Sequence, residues 1–185
     1  MKKITILIPA YNEEEVLQPL FERLNSLTNS KEMKKYSWEY LFVNDGSRDN
    51  TVSIIKAEIE KENKSKNRKT SLIDLSRNFG KERAMAAGID ACNSDALIFI
   101  DADLQDPPEL IPEMINLWNE GYDDVYAKRN SRAGESFVKK FTSKMYYNVI
   151  QSVSDIQIQK DTGDFRLLDK KCIDALKSVQ EKTRN

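Results

Sequence analysis

The chain contains no histidine. This excludes imidazole as a general base and as a zinc ligand. Any metal must then be held by carboxylate, amide or phosphate oxygens, which makes hard cations such as Mg²⁺ or Mn²⁺ the candidates. Only two cysteines occur, Cys92 and Cys172, far apart and in no CxxC pair. A disulfide framework and a zinc ribbon are therefore not expected, and both residues are expected as small core fillers in a reducing compartment. The six glycines compose neither GxGxxG nor GxxxxGK(S/T), so glycine-rich phosphate loops are excluded. No apolar run approaches the roughly 20 residues that cross a bilayer. Lys2 and Lys3 precede only a short apolar stretch, Ile4 to Pro9. No signal peptide is expected, and the chain as given is expected to be soluble. Neither sign of charge prevails, with 29 basic against 30 acidic residues and a net charge of −1. No global field draws the chain to nucleic acid, which is not an expected partner, so charge-based binding must come from local patches.

What is present fits one α/β domain. The chain has 185 residues, the size of a single domain with a real core. Ile4–Ile8, Tyr40–Val43, Ser71–Leu75 and Ala96–Ile100 are β-rich and nearly continuously apolar, as parallel strands covered on both faces are. Helical patterns follow at Glu14–Leu27, Asp49–Ile59, Lys81–Ala91 and Pro107–Asn119. This alternation predicts a mostly parallel central sheet flanked by helices. Asp106, Pro107 and Glu109 read as the cap, first residue and capping box of the fourth helix. The stretch Glu60–Lys69 reads as a frayed helix end and surface loop. Beyond it, Asp164–Leu168 is expected as a strand and Asp169–Val179 as a last helix.

Three polar clusters stand directly after predicted strands, where ligands bind in open α/β sheets. In Asp101-Ala102-Asp103-Leu104-Gln105-Asp106, the first two carboxylates are one residue apart, so an extended segment points both the same way. Like charges this close repel unless a cation sits between them, which suits a dication that also grips a diphosphate. The alternative is a solvated acidic turn. In Pro9-Ala10-Tyr11-Asn12-Glu13, proline is expected to end the strand and Tyr11 can lie flat against a planar ligand. The alternative is an ordinary loop with Asn12 as helix cap. In Asn44-Asp45-Gly46-Ser47-Arg48-Asp49, Gly46 permits a tight turn and Asp45 can accept hydrogen bonds from a base or ribose. The alternative, a turn with a cap at Asp49, leaves Asp45 unexplained. Lys128–Lys144 holds six basic residues against Glu135, with Phe137, Phe141 and Met145 four apart. It reads as a basic amphipathic helix suited to an anionic membrane surface, or as a solvated helix face.

Taken in order, PAYNEE (9–14), VNDGSRDNT (43–51), RNFGKERAMAAG (77–88), DADLQDPPE (101–109), KRNSRAGESFVKKF (128–141) and TGDFRLLD (162–169) resemble glycosyltransferase family 2 over essentially the whole chain. More closely, they resemble the polyprenyl-phosphate sugar transferases, namely bacterial undecaprenyl-phosphate glucosyltransferases and dolichyl-phosphate mannose synthases. The resemblance implies one GT-A catalytic domain over 1–185 and an inverting, metal-dependent hexose transfer. The donor would be a nucleotide sugar, UDP-glucose by likeness to the bacterial branch, and the acceptor a polyprenyl phosphate. Pro9, Tyr11, Glu13 and Asp45 would hold the nucleoside, and Lys81 would approach the donor. Asp101, Asp103 and Gln105 match the motif for Mg²⁺ or Mn²⁺ and the diphosphate. Asp164 matches a carboxylate near the reaction centre that orients the acceptor or acts as base. Its alternative is a partner for Arg166, and Asp161 is a second candidate. Arg129, Arg132, Lys139 and Lys140, within a basic segment at about 128–150, match the side that meets the acceptor phosphate. Members of this branch continue into two transmembrane helices, so the chain is expected to be part of a longer protein at the cytoplasmic face of a membrane. A family 2 enzyme acting on a polysaccharide or protein and a non-enzymatic membrane-binding module remain as alternatives. So do the choice of UDP over GDP and a homo-oligomeric state.

Overall fold

The structure is a computed structural model that describes residues 1–61, 67–128 and 162–183. The expected basic amphipathic helix, with Arg129, Arg132, Lys139 and Lys140, lies outside the described residues, as does Asp161. The strands are β1 (Lys3–Ala10), β2 (Ser37–Asn44), β3 (Arg68–Asp74), β4 (Ala96–Phe99), β5 (Asp124–Lys128) and β6 (Thr162–Asp169). The helices are α1 (Leu17–Thr28), α2 (Thr51–Lys61), α3 (Lys81–Ala91), α4 (Ile111–Asn119) and α5 (Lys170–Thr183). One six-stranded sheet has the order β3-β2-β1-β4-β6-β5. Its first four strands are mutually parallel, and β6 runs antiparallel to β4. By compactness the chain divides into Met1–Val125 with Asp164–Asn185, and Tyr126–Gly163.

Strand alternation sends β1 side chains to both faces, and each face is covered. Leu7, Leu41, Val43, Leu97 and Phe99 pack under α3 and α5 with Ala84, Ile89, Leu168 and Ile173. On the opposite face Phe21 of α1 meets Phe42, ring centroids 5.1 Å apart. Each such buried side chain contributes about 1.5–3 kcal/mol. Where α3 crosses β1, Gly88 removes the side chain, because a Cβ there would stand 2.2 Å from Leu7 Cδ1.

Several expected boundaries move, each for a traceable reason. Proline does not end the first strand, since Pro9 pairs with Val43 and the strand runs on to Ala10. The carbonyls of Lys3 and Leu7 accept from Asp95 and Ile100 on the β4 side, and that of Ala10 accepts from Asp45 on the β2 side. By this alternation Pro9 faces the β4 side, beyond the end of β4, so its missing N–H removes no ladder bond. Helix α1 begins at Leu17 rather than Glu14, and the N–H groups of Asn12, Glu13 and Glu14 before it bond to side chains of the loop after β2 and of Thr51 at the start of α2. Asn12 therefore caps no helix. The fourth helix starts at Ile111, after a 3₁₀ turn at Pro108–Leu110 whose N-cap position is Pro107 rather than Asp106. Glu109 does not close a capping box but pairs with Arg23 of α1. Arg68 and Lys69, expected in a loop, belong to β3, and β5 was not anticipated. Cys92 is buried as expected, whereas Cys172 is only partly buried.

Candidate functional site

The four parallel strands end on one side of the sheet, and the loops leaving them build a cleft of about 270 Å³. Pro9, Tyr11, Glu13, Asp45, Lys81, Asp101 and Asp103 all line it. Residues 92 positions apart in sequence thus meet because β1, β2 and β4 are neighbours in register. Tyr11 is 43% exposed, leaving its ring available to a ligand. A second cleft of about 510 Å³ shares Tyr11 and Asn78 with the first and is bounded by Gly46, Arg48 and Arg77.

The loops after β1 and β2 are clasped together. Asn12, in left-handed conformation at φ 56°, donates its N–H to Ser47 Oγ and accepts the Arg48 N–H at its side-chain oxygen. Thr51 Oγ1 accepts the Glu13 N–H at 2.8 Å, and Asp49 accepts from Glu14 and Thr51. Asp49 therefore caps α2 as expected while also tying down the other loop. Burial pushes against ionisation of Asp49, but these hydrogen bonds outweigh it and hold its pKa below the usual carboxylate range.

Asp45 is buried, and its two oxygens accept the backbone N–H groups of Phe79 and Gly80 at 2.7 and 2.9 Å. Its first task is therefore to hold the loop after β3 against the cleft. Gly46 makes this approach possible. It sits at φ 70°, and a Cβ there would lie 2.4 Å from the Arg77 carbonyl carbon. Asn78 and Gly80, which also line the cleft, were not singled out in the sequence. The only signal for them was their place inside the RNFGK motif.

The acidic loop after β4 turns sharply at Leu104, φ 60°. Asp103 accepts the Gln105 N–H at 3.0 Å, which fixes its carboxylate. Gln105 itself is exposed, and its side chain is not among the residues lining the cleft. Negative charge accumulates here. Burial, then the charges of Asp103 and Asp101, and then Asp49, raise the pKa of Glu13.

Lys81 opens α3 and its ammonium bridges two carboxylates. It lies 2.6 Å from Asp101 Oδ1 and 2.7 Å from Asp164 Oδ2. Burial pulls the Lys81 pKa down, but the hydrogen bonds and charges of Asp101 and Asp164 outweigh it and leave it raised. Asp164 is thus brought to the edge of the site by Lys81. Arg166 pairs instead with Asp124 at 3.6 Å, so the expected alternative partner for Asp164 is not the one observed.

The oxygen donors of Asp101 and Asp103 suit a hard dication, which keeps one or two protein carboxylates and takes further ligands from substrate phosphates and water. A mostly parallel six-stranded sheet flanked by helices, with its ligand-accessible loops at the strand ends, is an α/β fold of the GT-A type. The chain belongs to glycosyltransferase family 2, whose model, described as Glycosyl transferase family 2, matches residues 5–176.

Among curated relatives, an uncharacterized glycosyltransferase of Synechocystis is 48% identical over 182 residues, covering 98% of this chain and 55% of the relative. A prophage bactoprenol glucosyl transferase homolog of Escherichia coli is 38% identical over 182 residues, 97% of this chain and 56% of that protein. The chain spans about half the length of the curated relatives it matches. Among solved structures, the mannosyltransferase PcManGT of Pyrobaculum calidifontis, in complex with GDP-Man and Mn²⁺, has TM-score 0.61 at 16% identity, over 95% of this chain and 46% of that one. Glucosyl-3-phosphoglycerate synthase of Mycobacterium tuberculosis, in complex with Mn²⁺, UDP-glucose and phosphoglyceric acid, has TM-score 0.60 at 17% identity, over 92% and 57%. At these identities the two structures show the fold alone.

Proposed function

We propose that this chain is the catalytic domain of an inverting hexosyltransferase that moves glucose from UDP-glucose to a polyprenyl phosphate. The observation that carries this reading is the meeting of Tyr11, Glu13, Asp45, Lys81, Asp101 and Asp103 in one cleft, with Asp164 at its edge. The bactoprenol glucosyl transferase relatives support the acceptor class and favour glucose.

In this reading Pro9, Tyr11 and Glu13 receive the nucleoside, with the Tyr11 ring against the base. Asp45 holds the Phe79–Gly80 backbone beneath it and keeps lone pairs for a ribose or base donor. Asp101 and Asp103, with Gln105 beside them, are the residues that would hold Mg²⁺ or Mn²⁺, and a cation there would supply positive charge to the departing diphosphate. Lys81 supplies a further positive charge to the same phosphates. An acceptor phosphate oxygen attacks the anomeric carbon as the bond from that carbon to the diphosphate oxygen breaks, and the electron pair leaves with the nucleoside diphosphate. The acceptor is largely ionised near neutral pH, its second pKa being about 6, so no histidine base is needed. Asp164 orients the acceptor or takes its remaining proton. Arg129, Arg132, Lys139 and Lys140 meet the acceptor phosphate, and the domain works at the cytoplasmic face of a membrane. None of the described helices is long and apolar enough to cross one.

The test is a transfer assay with labelled UDP-glucose or GDP-mannose, undecaprenyl phosphate in vesicles, and Mn²⁺ or Mg²⁺. Label moving from UDP-glucose into the lipid supports the reading. Binding of a nucleotide–metal complex with transfer only to a soluble acceptor would sink the lipid assignment and retain the donor site.

A further inference from the structure

Lys81 is poorly placed for the helix it begins. A cation in the first turn opposes the helix dipole. Helix stability therefore gives this position no reason to be lysine. Its ammonium instead reaches three carboxylate oxygens on two other elements. Asp101 Oδ1 and Oδ2 lie at 2.6 and 2.8 Å, and Asp164 Oδ2 at 2.7 Å. Asp101 follows β4 and Asp164 stands in β6, so the lysine ties the donor side to the strand that carries the candidate acceptor residue. Among the described residues that line the cleft, Lys81 is the only cation, facing Glu13, Asp45, Asp101 and Asp103.

We propose that Lys81, through its ion pairs with Asp101 and Asp164, is a positioning residue that opposes entry of a lone divalent cation, so that the metal enters together with the nucleoside diphosphate rather than alone. This rests on the donor-site reading above. A bare dication approaching Asp101 finds both oxygens engaged by the ammonium and meets a like charge a few ångströms away. A diphosphate brings the negative charge that compensates both cations and gives the ammonium a new partner. Lys81 then leaves Asp101 and Asp164, and the Asp164 carboxylate becomes free only when the donor is bound. Exclusion of the lone metal and release of Asp164 are thus two consequences of one side chain.

The experiment titrates Mn²⁺ alone into the wild-type protein and into Lys81→Met, Lys81→Gln and Lys81→Arg, following free Mn²⁺ by electron paramagnetic resonance. Circular dichroism checks that each variant is folded. Removing the opposing charge is expected to tighten Mn²⁺ binding about tenfold or more in the Met and Gln variants. Lys81→Arg, with its permanent charge, is expected to match the wild type. A residue with a merely structural role would not gain metal affinity when removed. Mn²⁺ affinity in the Met and Gln variants equal to or weaker than that of the wild type would overturn the proposal. A parallel titration of UDP and GDP with Mn²⁺ judges the donor site separately. Absence of nucleotide binding by the wild type would refute that reading, while the metal-only arm still decides the role of Lys81.

Discussion

The Lys81 ammonium stands between the carboxylates of Asp101 and Asp164, 2.6 Å from the first and 2.7 Å from the second. These residues come from a helix start, a strand end and an antiparallel strand. Their meeting joins the loop that would hold the donor's diphosphate to the strand beside it.

Asp103 is exposed and, among the described residues, accepts only the nearby Gln105 N–H, so the described fold does not depend on it. Asp103→Ala is expected to leave the melting temperature within a few degrees of wild type. Metal-dependent nucleotide binding should weaken at least tenfold in calorimetric titration, and a chelator added to the wild type should do the same. Unchanged affinity would remove Asp103 from the metal motif.

Gly46 combines a left-handed φ of 70° with a backbone contact no side chain can enter. Gly46→Ala is expected to cost about 1–3 kcal/mol from backbone strain, with a further loss from displacing the Arg77–Asn78 backbone. Urea unfolding measures the cost. Nucleotide affinity should fall in parallel, because the displaced segment leads into the Phe79 and Gly80 N–H groups that Asp45 holds.

Gly88 has its own signature. Alanine would favour the helix by about 1 kcal/mol, but its Cβ would stand 2.2 Å from Leu7 Cδ1 and overpack the core by about 1–3 kcal/mol. Gly88→Ala should therefore destabilise the fold. Combined with Leu7→Ala it should cost less than the two changes summed, and a strictly additive double-mutant cycle would contradict the contact.

Glu39 gives the fold a pH dependence. Burial pushes its pKa up, but hydrogen bonds from Lys3 and Ser71 and the charges of Lys3 and Lys69 outweigh this and leave it lowered. A carboxylate lowered on folding contributes stability that is fully present above the unfolded pKa. That stability is lost as pH falls through the lower folded pKa. The protein should weaken progressively below about pH 4. Glu39→Gln should cost about 1–3 kcal/mol at neutral pH and show a shallower acid decline in urea midpoints. An identical decline in both proteins would assign the acid sensitivity elsewhere.

Much of this was readable from residue order. The apolar runs around Ile6, Phe42 and Ile98 announced parallel strands because side chains buried on both faces leave no polar alternation. The polar clusters at Tyr11, Asp45 and Asp101 announced a site because they follow those strands directly. Element ends were less legible, since each depends on partners distant in sequence. The N–H groups of Asn12, Glu13 and Glu14 bond to Ser47, Thr51 and Asp49, partners some 35 residues away that no local pattern announces. Glu109 does not cap because Arg23 reaches it. Pro9 remains in its strand because β4 ends before it.

The sequence by itself determined the strand–helix alternation, the family and the oxygen-only chemistry open to a chain without histidine. The first and the last follow from local periodicity and composition, which every segment carries within itself, and the family follows from the ordered motifs and their match to its model. Only the tertiary structure decided that Asp45 spends its carboxylate on the Phe79–Gly80 backbone and that Asp164 pairs with Lys81 rather than Arg166. Hydrogen bonds and ion pairs act over about 3 Å. Which groups come that close is settled by strand order and register, and residues distant along the chain have no other way to find one another.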